Sequence, residues 1–239
     1  MDTMEGKILI IPDVHGRSFW KNAVCHDGFS KIIFLGDYVD PYPWEGITDF
    51  VALHHFKEII AFKESNPDQV VLLLGNHDLH YYSELFFQYA VGSRYNKAYA
   101  ERLSELFMQH KHCFQLAYET ETAGQRFLFT HAGVVKRWYD MFESVIGELN
   151  AEHLNALLET AAGMLTLTAI GRSRGGPCMV GSMVWADVRE MSRYGQLPGI
   201  FQIFGHTMMD SPFVEEDFAC LDCQKPFVLD EDGTIKVFQ

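Results

Sequence analysis

Five short apolar runs punctuate the chain, and each stops at a turn-forming or small residue followed by polar groups. Lys7–Pro12 leads into Asp13-Val14-His15-Gly16, and Lys31–Gly36 into Asp37-Tyr38-Val39-Asp40. Val70–Gly75 leads into Asn76-His77-Asp78. Arg126–Thr130 leads into His131-Ala132-Gly133, and Ile200–Gly205 into His206-Thr207. Uninterrupted runs of Ile, Val, Leu and Phe at this length predict strands buried on both faces. Helical spacing predicts helices over 17–24, 48–64, 96–110 and the Ala- and Leu-rich 149–167. The tail reads differently, as short strands at 213–214, 219–222, 227–229 and 235–238 with a hairpin turn at Asp230–Gly233. The alternation predicts an α/β fold with helices covering a sheet, and the tail is expected to be antiparallel, forming or joining a second sheet. In open α/β sheets ligands bind beyond the carboxyl ends of the strands, where all five polar clusters fall.

Composition narrows the chemistry. The chain has 239 residues, 48% of them apolar and 21% charged, which excludes disorder and leaves room for one domain with an inserted cap. No uncharged apolar run is long enough for a membrane helix, and Ile8–Ile11 is too short for a signal peptide, so no membrane association is expected. Lysine and arginine total 19 against 32 aspartate and glutamate, a net charge of −13. Such a chain makes a poor general nucleic-acid binder, so no nucleic-acid partner is expected. If it handles phosphates, metal ions are one source of the missing positive charge. Five scattered cysteines suit a reducing, cytoplasmic setting better than a disulfide framework.

The clusters bring together Asp13, His15, Asp37, Asn76, His131 and His206. Taken singly these residues are unremarkable: an aspartate after a strand is ordinarily a cap or turn former, and Asn after Gly an ordinary turn pair. Their conjunction at five successive strand ends carries the signal. Mixed carboxylate, imidazole and amide donors suit Mn, Fe or Zn, and the lack of thiolates argues against a purely structural zinc site. Two such ions would need a shared carboxylate, and together would clamp a phosphoryl oxygen and acidify a bound water.

These blocks, from Asp13 to Thr207, resemble those of the calcineurin-like metallophosphoesterase superfamily. The resemblance implies a four-layer α/β/β/α sandwich with a dinuclear centre at the sheet edge and a helical cap over roughly 134–199. It implies that Asp13, His15 and Asp37 hold one ion, that Asp37, Asn76, His131 and His206 hold the other, and that Asp37 bridges. A hydroxide shared by the ions would attack phosphorus in line. His77 would protonate the leaving oxygen, with Asp40 orienting it.

The pattern departs from the family in three places. Met208 stands where many members carry a last histidine. Asp40 is followed by Pro41, so the substrate-binding arginine usual after that aspartate is missing. Asp78 replaces a glutamate common in the phosphoprotein-phosphatase branch. Gly171-Arg172-Ser173-Arg174-Gly175-Gly176 offers replacement cations, Arg174 ahead of Arg172 because it directly precedes the glycines. With Gly181–Asp187, this stretch is similar to one in bacterial-type protein phosphatases. The reading is therefore a two-metal phosphoester hydrolase of the serine/threonine protein phosphatase kind. The alternatives are a dinucleoside polyphosphate or nucleotide hydrolase, or a non-catalytic scaffold. Tyr38, Tyr42 and Trp44 are expected to pack the loop, Cys220 and Cys223 to be structural, and Asp222 structural rather than catalytic. His54, His55, His110 and His112 have no ligand context and read as helix-surface residues.

Overall fold

The computed structural model describes residues 6–89, 93–194 and 197–239. The expectation that the N-terminus carries no signal peptide falls partly on residues 1–5, which lie outside the described residues. The elements run β1 (Lys7–Ile11), α1 (Trp20–Ala23), β2 (Phe29–Phe34), α2 (Asp49–Ser65), β3 (Val70–Leu73), α3 (Asn76–Tyr82), α4 (Glu84–Phe87) and α5 (Ala100–Gln109). They continue with β4 (Phe114–Gln115), β5 (Ala117–Thr122), β6 (Gln125–Thr130), α6 (Lys136–Ile146), α7 (Ala151–Ala156), α8 (Ala161–Leu167) and α9 (Val188–Tyr194). The last strands are β7 (Ile200–Phe204), β8 (Phe213–Val214), β9 (Phe218–Cys220), β10 (Phe227–Leu229) and β11 (Ile235–Val237).

The strands form two sheets, ordered β11-β10-β1-β2-β3-β4 and β5-β6-β7-β9-β8. Within the first, β1 through β4 are parallel; within the second, β6, β7 and β9 are. Alternation along each strand explains the uninterrupted apolar runs. Ile8, Ile10, Ile33, Val71, Leu73, Phe127, Phe129 and Ile203 share one buried cluster, the seam between the sheets. Their neighbours Leu9, Ile11, Ile32, Phe34, Leu72 and Leu128 belong to a larger cluster with Leu53, Phe56 and Ile59 of α2, and with Trp138 and Met191 of α6 and α9. Truncating one of these, such as fully buried Phe34, to alanine should cost about 3–5 kcal/mol. The result is the α/β/β/α sandwich.

Several expected elements take a different form. The 149–167 helix is broken: α7 runs into a 3-10 turn at Leu157–Glu159, and Thr160 starts α8 by accepting a hydrogen bond from Gly163 N–H. A threonine that caps outcompetes a continuous helix. The tail is divided between the sheets: β10 pairs with β1 and β11 with β10, whereas β8 and β9 extend the second sheet. Moreover, β9 runs parallel to β7, against the antiparallel expectation. Helix α4 and strands β4 and β5 are additional to the sequence-based expectation, as is α3, whose first residues are the Asn76-His77-Asp78 cluster itself, whereas α6 and α9 fall within the segment 134–199 expected to be helical.

Candidate metal centre

The turns after β1, β2, β3, β6 and β7 converge at one end of the two sheets. Asp37 lies at the middle of the convergence. One carboxylate oxygen, Oδ1, accepts a hydrogen bond from His77 N–H at 3.0 Å, stapling the β2 turn to the start of α3. The other, Oδ2, lies 3.5 Å from His15 Nε2 and 3.5 Å from His131 Nε2. Asp13 behaves alike: Oδ1 accepts from His206 N–H at 3.0 Å, and Oδ2 faces His15 Nε2 at 4.0 Å. Each aspartate thus uses one oxygen to tie two turns together and offers the other to the interior.

The imidazoles are oriented for ligation. His15 Nδ1 donates to the Val39 carbonyl at 2.9 Å and His131 Nδ1 to the Leu35 carbonyl at 2.8 Å. With Nδ1 carrying the proton, Nε2 of each ring presents a lone pair inward. His131 Nε2 lies 3.1 Å from both Asn76 Oδ1 and His206 Nδ1. Nε2 of His206 is buried without a hydrogen-bond partner. Two sets of potential ligands result, Asp13–His15–Asp37 and Asp37–His131–His206, and Asp37 is in both.

This arrangement is held under local strain. His15, Asp37, Asp40 and His206 all adopt positive φ, between 44° and 63°, a region costly for residues with a side chain. Asp78 helps to hold it: its carboxylate accepts from the backbone N–H groups of Asp37 at 2.7 Å, Tyr38 at 2.9 Å and Gly75 at 2.8 Å. Two punctuating glycines are explained by space. A Cβ at Gly75 would collide with the Asp37 carboxylate, and one at Gly205 with that of Asp13.

Electrostatics agree with a cation site. Burial pushes the Asp13 carboxyl up to about 6, opposed by His131 and reinforced by Asp37. Burial acts in the same sense on Asp37, but His131, His77, His15 and His206 outweigh it and hold that carboxyl well below the usual carboxylate range. Burial also keeps the rings of His15 and His206 far below the ordinary histidine value, hence neutral and able to ligate. Two buried carboxylates, Asp13 and Asp37, thus stand among inward-facing nitrogen donors, a setting that a divalent ion would complete. The donors are oxygen and nitrogen only, a set that fits Mn, Fe or Zn.

Beside this cluster, His77 Nδ1 donates to Asp40 Oδ2 at 2.7 Å, and Tyr81 Oη donates to Asp40 Oδ1 at 2.5 Å. Tyr81 is itself fixed, accepting from Asn96 N–H at 2.9 Å. Above lies a cavity of about 410 Å³ lined by His15, Asp37, Asn76, His77 and His206, with Arg94 and Arg174 among its other walls. Arg174 Nη2 donates to Thr207 Oγ1 at 2.8 Å and to the His206 carbonyl at 3.2 Å, and its Nε faces Asp187 at 3.2 Å. Arg172 is exposed and lies outside the lining.

Arg94 was not anticipated. Its Nε donates to the Asp40 carbonyl at 2.9 Å, its guanidinium stacks 3.6 Å over the Tyr42 ring, and its Nη2 lies 3.1 Å from His15 Nε2. Nothing in the sequence around it marks it, because it sits in a loop 54 residues after Asp40. Tyr42 accordingly lines the cavity, whereas Tyr38 is core, stacked on Phe56 and donating to the Leu73 carbonyl at 2.7 Å. Trp44 packs on Tyr42 but is 71% exposed. Cys220 and Cys223 are free and buried, and Asp222 is buried, with its carboxyl raised by burial and by Asp13.

No helix among the described residues is long and apolar enough to cross a membrane. A search of curated protein sequences gives no match. Among solved structures, the chain is similar to a protein serine/threonine phosphatase from Saccharomyces cerevisiae with similarity to human phosphatase PP5. Identity is 16%, the match covers 98% of this chain and 80% of that one, and the TM-score is 0.53, a likeness of fold. A sequence profile described as calcineurin-like phosphoesterase matches residues 6–208. The converging turns and that match agree, and the chain belongs to the calcineurin-like phosphoesterase family.

Proposed function

We propose that the protein is a dinuclear-metal phosphomonoesterase of the serine/threonine protein phosphatase kind. The observation that carries this reading is the position of Asp37 Oδ2, equidistant from His15 and His131 and common to both ligand sets. Asp13, His15 and Asp37 would hold one ion, and Asp37, Asn76, His131 and His206 the other. When bound, the two ions supply Lewis acidity toward the phosphoryl oxygens and an acidified water. Manganese is the expected ion, with iron or zinc compatible with the same donors.

The chain's own residues do the rest. Asp40 fixes His77 through Nδ1, so Nε2 is the atom that delivers a proton to the leaving oxygen. Tyr81 keeps Asp40 in place. Arg174 and Arg94 bind the phosphoryl oxygens, Arg94 taking over for the arginine that usually follows the Asp40 position. Arg94 suits this role because its described partners are a carbonyl, an aromatic face and an imidazole rather than a carboxylate. Within the segment 134–199, the stretch between α8 and α9 contributes Ile170, Arg174, Gly175, Gly176 and Trp185 to the cavity wall, while α6 and α9 pack on the core.

The Arg-Gly-Gly and Gly-His-Thr elements favour a phosphoprotein over a small-molecule substrate. The intact His77–Asp40–Tyr81 chain favours an enzyme over a scaffold. The test is hydrolysis of p-nitrophenyl phosphate by manganese-loaded protein, followed by phosphopeptides, mononucleotides and dinucleoside polyphosphates. Turnover with phosphopeptides preferred is the expected result. Folded, metal-loaded protein that hydrolyses none of these would establish the scaffold, and a preference for dinucleoside polyphosphates would reassign the substrate.

A further inference from the structure

At the opposite, amino-terminal ends of β3 and β4, a second group of metal-capable side chains meets. Glu64 lies in the last turn of α2, His110 caps the carboxyl end of α5, and a 3-10 turn over Lys111–Cys113 brings Cys113 back beside them. His110 Nδ1 is 2.7 Å from Glu64 Oε1, and one donor atom from each of Glu64, His110 and Cys113 lies within 4.8 Å of the others. His112 Nε2 is 3.5 Å from Cys113 Sγ but lies outside that three-residue group. Of the four histidines read as helix-surface residues, His110 is the one that stands among metal-capable side chains.

Three features favour a cation here. Two helix carboxyl ends converge on the group, and both favour positive charge. The adjacent lysines are turned elsewhere: Lys63 Nζ donates to the carbonyls of Pro67 and Val70 at 2.6 and 2.7 Å, and Lys111 lies over the Tyr82 ring. Cys113 is a free thiol, buried against the edge strand and held by its own N–H on the His110 carbonyl at 2.8 Å. Burial, and then Glu64, raise that thiol above its ordinary value, against the opposing charge of Lys63.

We propose that Glu64, His110 and Cys113 form a separate binding site for a single zinc-class ion that ties α2 and α5 to the edge strand β4. One thiolate with an imidazole and a carboxylate is a borderline donor set, matched to zinc and unlike the thiolate-free set at the other end of the sheet. The ion binds as the Cys113 thiol releases its proton.

Cobalt(II) is the probe, because only a thiolate ligand gives the near-ultraviolet sulfur-to-cobalt charge-transfer band. Full-length protein titrated with cobalt should develop this band to a plateau of one thiolate-bound ion per chain, and added zinc should abolish it. Cys113→Ser should remove the band, and His110→Ala, a milder surface change, should weaken cobalt binding by about tenfold or more. Asp37→Asn should leave the band intact, separating this site from the dinuclear reading. Circular dichroism confirms that each variant is folded. Absence of the band in folded wild-type protein, or its persistence unchanged in Cys113→Ser or His110→Ala, would overturn the proposal.

Discussion

The floor and the rim of the cavity are built by different rules. Floor residues stand directly at strand ends and are cross-braced: Asp37 is tied to His77 N–H, Asp13 to His206 N–H, and His15 and His131 to carbonyls of the β2 turn. Apart from the half-buried His206 they are buried, and four residues of these turns hold left-handed backbone. Rim residues come from loops, are half-buried, and steady one another: Arg94 on Tyr42, and Arg174 on Asp187 and Thr207. Strained, over-determined geometry suits the proposed ion ligands, whereas the rim's proposed role asks only for charge within reach of the cavity. Of the three departures from the family pattern, the missing arginine is the one that concerns the rim, where a guanidinium can reach the same space from another loop.

The comparison can be broken most severely at its centre. Asp37→Asn should abolish binding of both ions and nearly all activity, read by metal analysis of the purified protein beside turnover. Two ions retained would show that the bridge is misassigned. His77→Ala should keep both ions and lower kcat by about a hundredfold or more. Unchanged turnover would remove His77 from the mechanism. At the rim, Arg94→Ala and Arg174→Ala should each raise KM while sparing the ions. Loss of a charge-assisted bond worth about 1.5–3 kcal/mol corresponds to roughly ten- to hundredfold in kcat/KM. Arg172→Ala should do nothing, and an effect there without one at Arg174 would reverse that assignment. The smallest effect is expected from Tyr81→Phe, which removes one neutral donor to Asp40. About 1 kcal/mol, a severalfold fall in kcat with KM unchanged, is the expected size.

The floor was legible in the sequence because every one of its residues sits within a few positions of a buried strand's end. Asp13, Asp37, Asn76, His131 and His206 all follow apolar runs, so recognising the runs located the residues. The rim was only partly legible. Arg174 announced itself through its glycines, but Arg94 did not, because its place depends on a stack with Tyr42 and a bond to the Asp40 carbonyl. Asp78 seemed a mere variant of a family position. In the fold it braces three backbone N–H groups from two turns.

By itself, then, the order of residues determined the buried strands, their polar ends and the donor types gathered there, because burial and backbone conformation are local demands written in adjacent positions. Tertiary structure alone decided the split of the tail between two sheets, the break in the 149–167 helix, the arrival of Arg94, and the meeting of Glu64 with His110 and Cys113. Each of those depends on which distant surfaces pack together. That choice is a property of the whole core rather than of any stretch of chain.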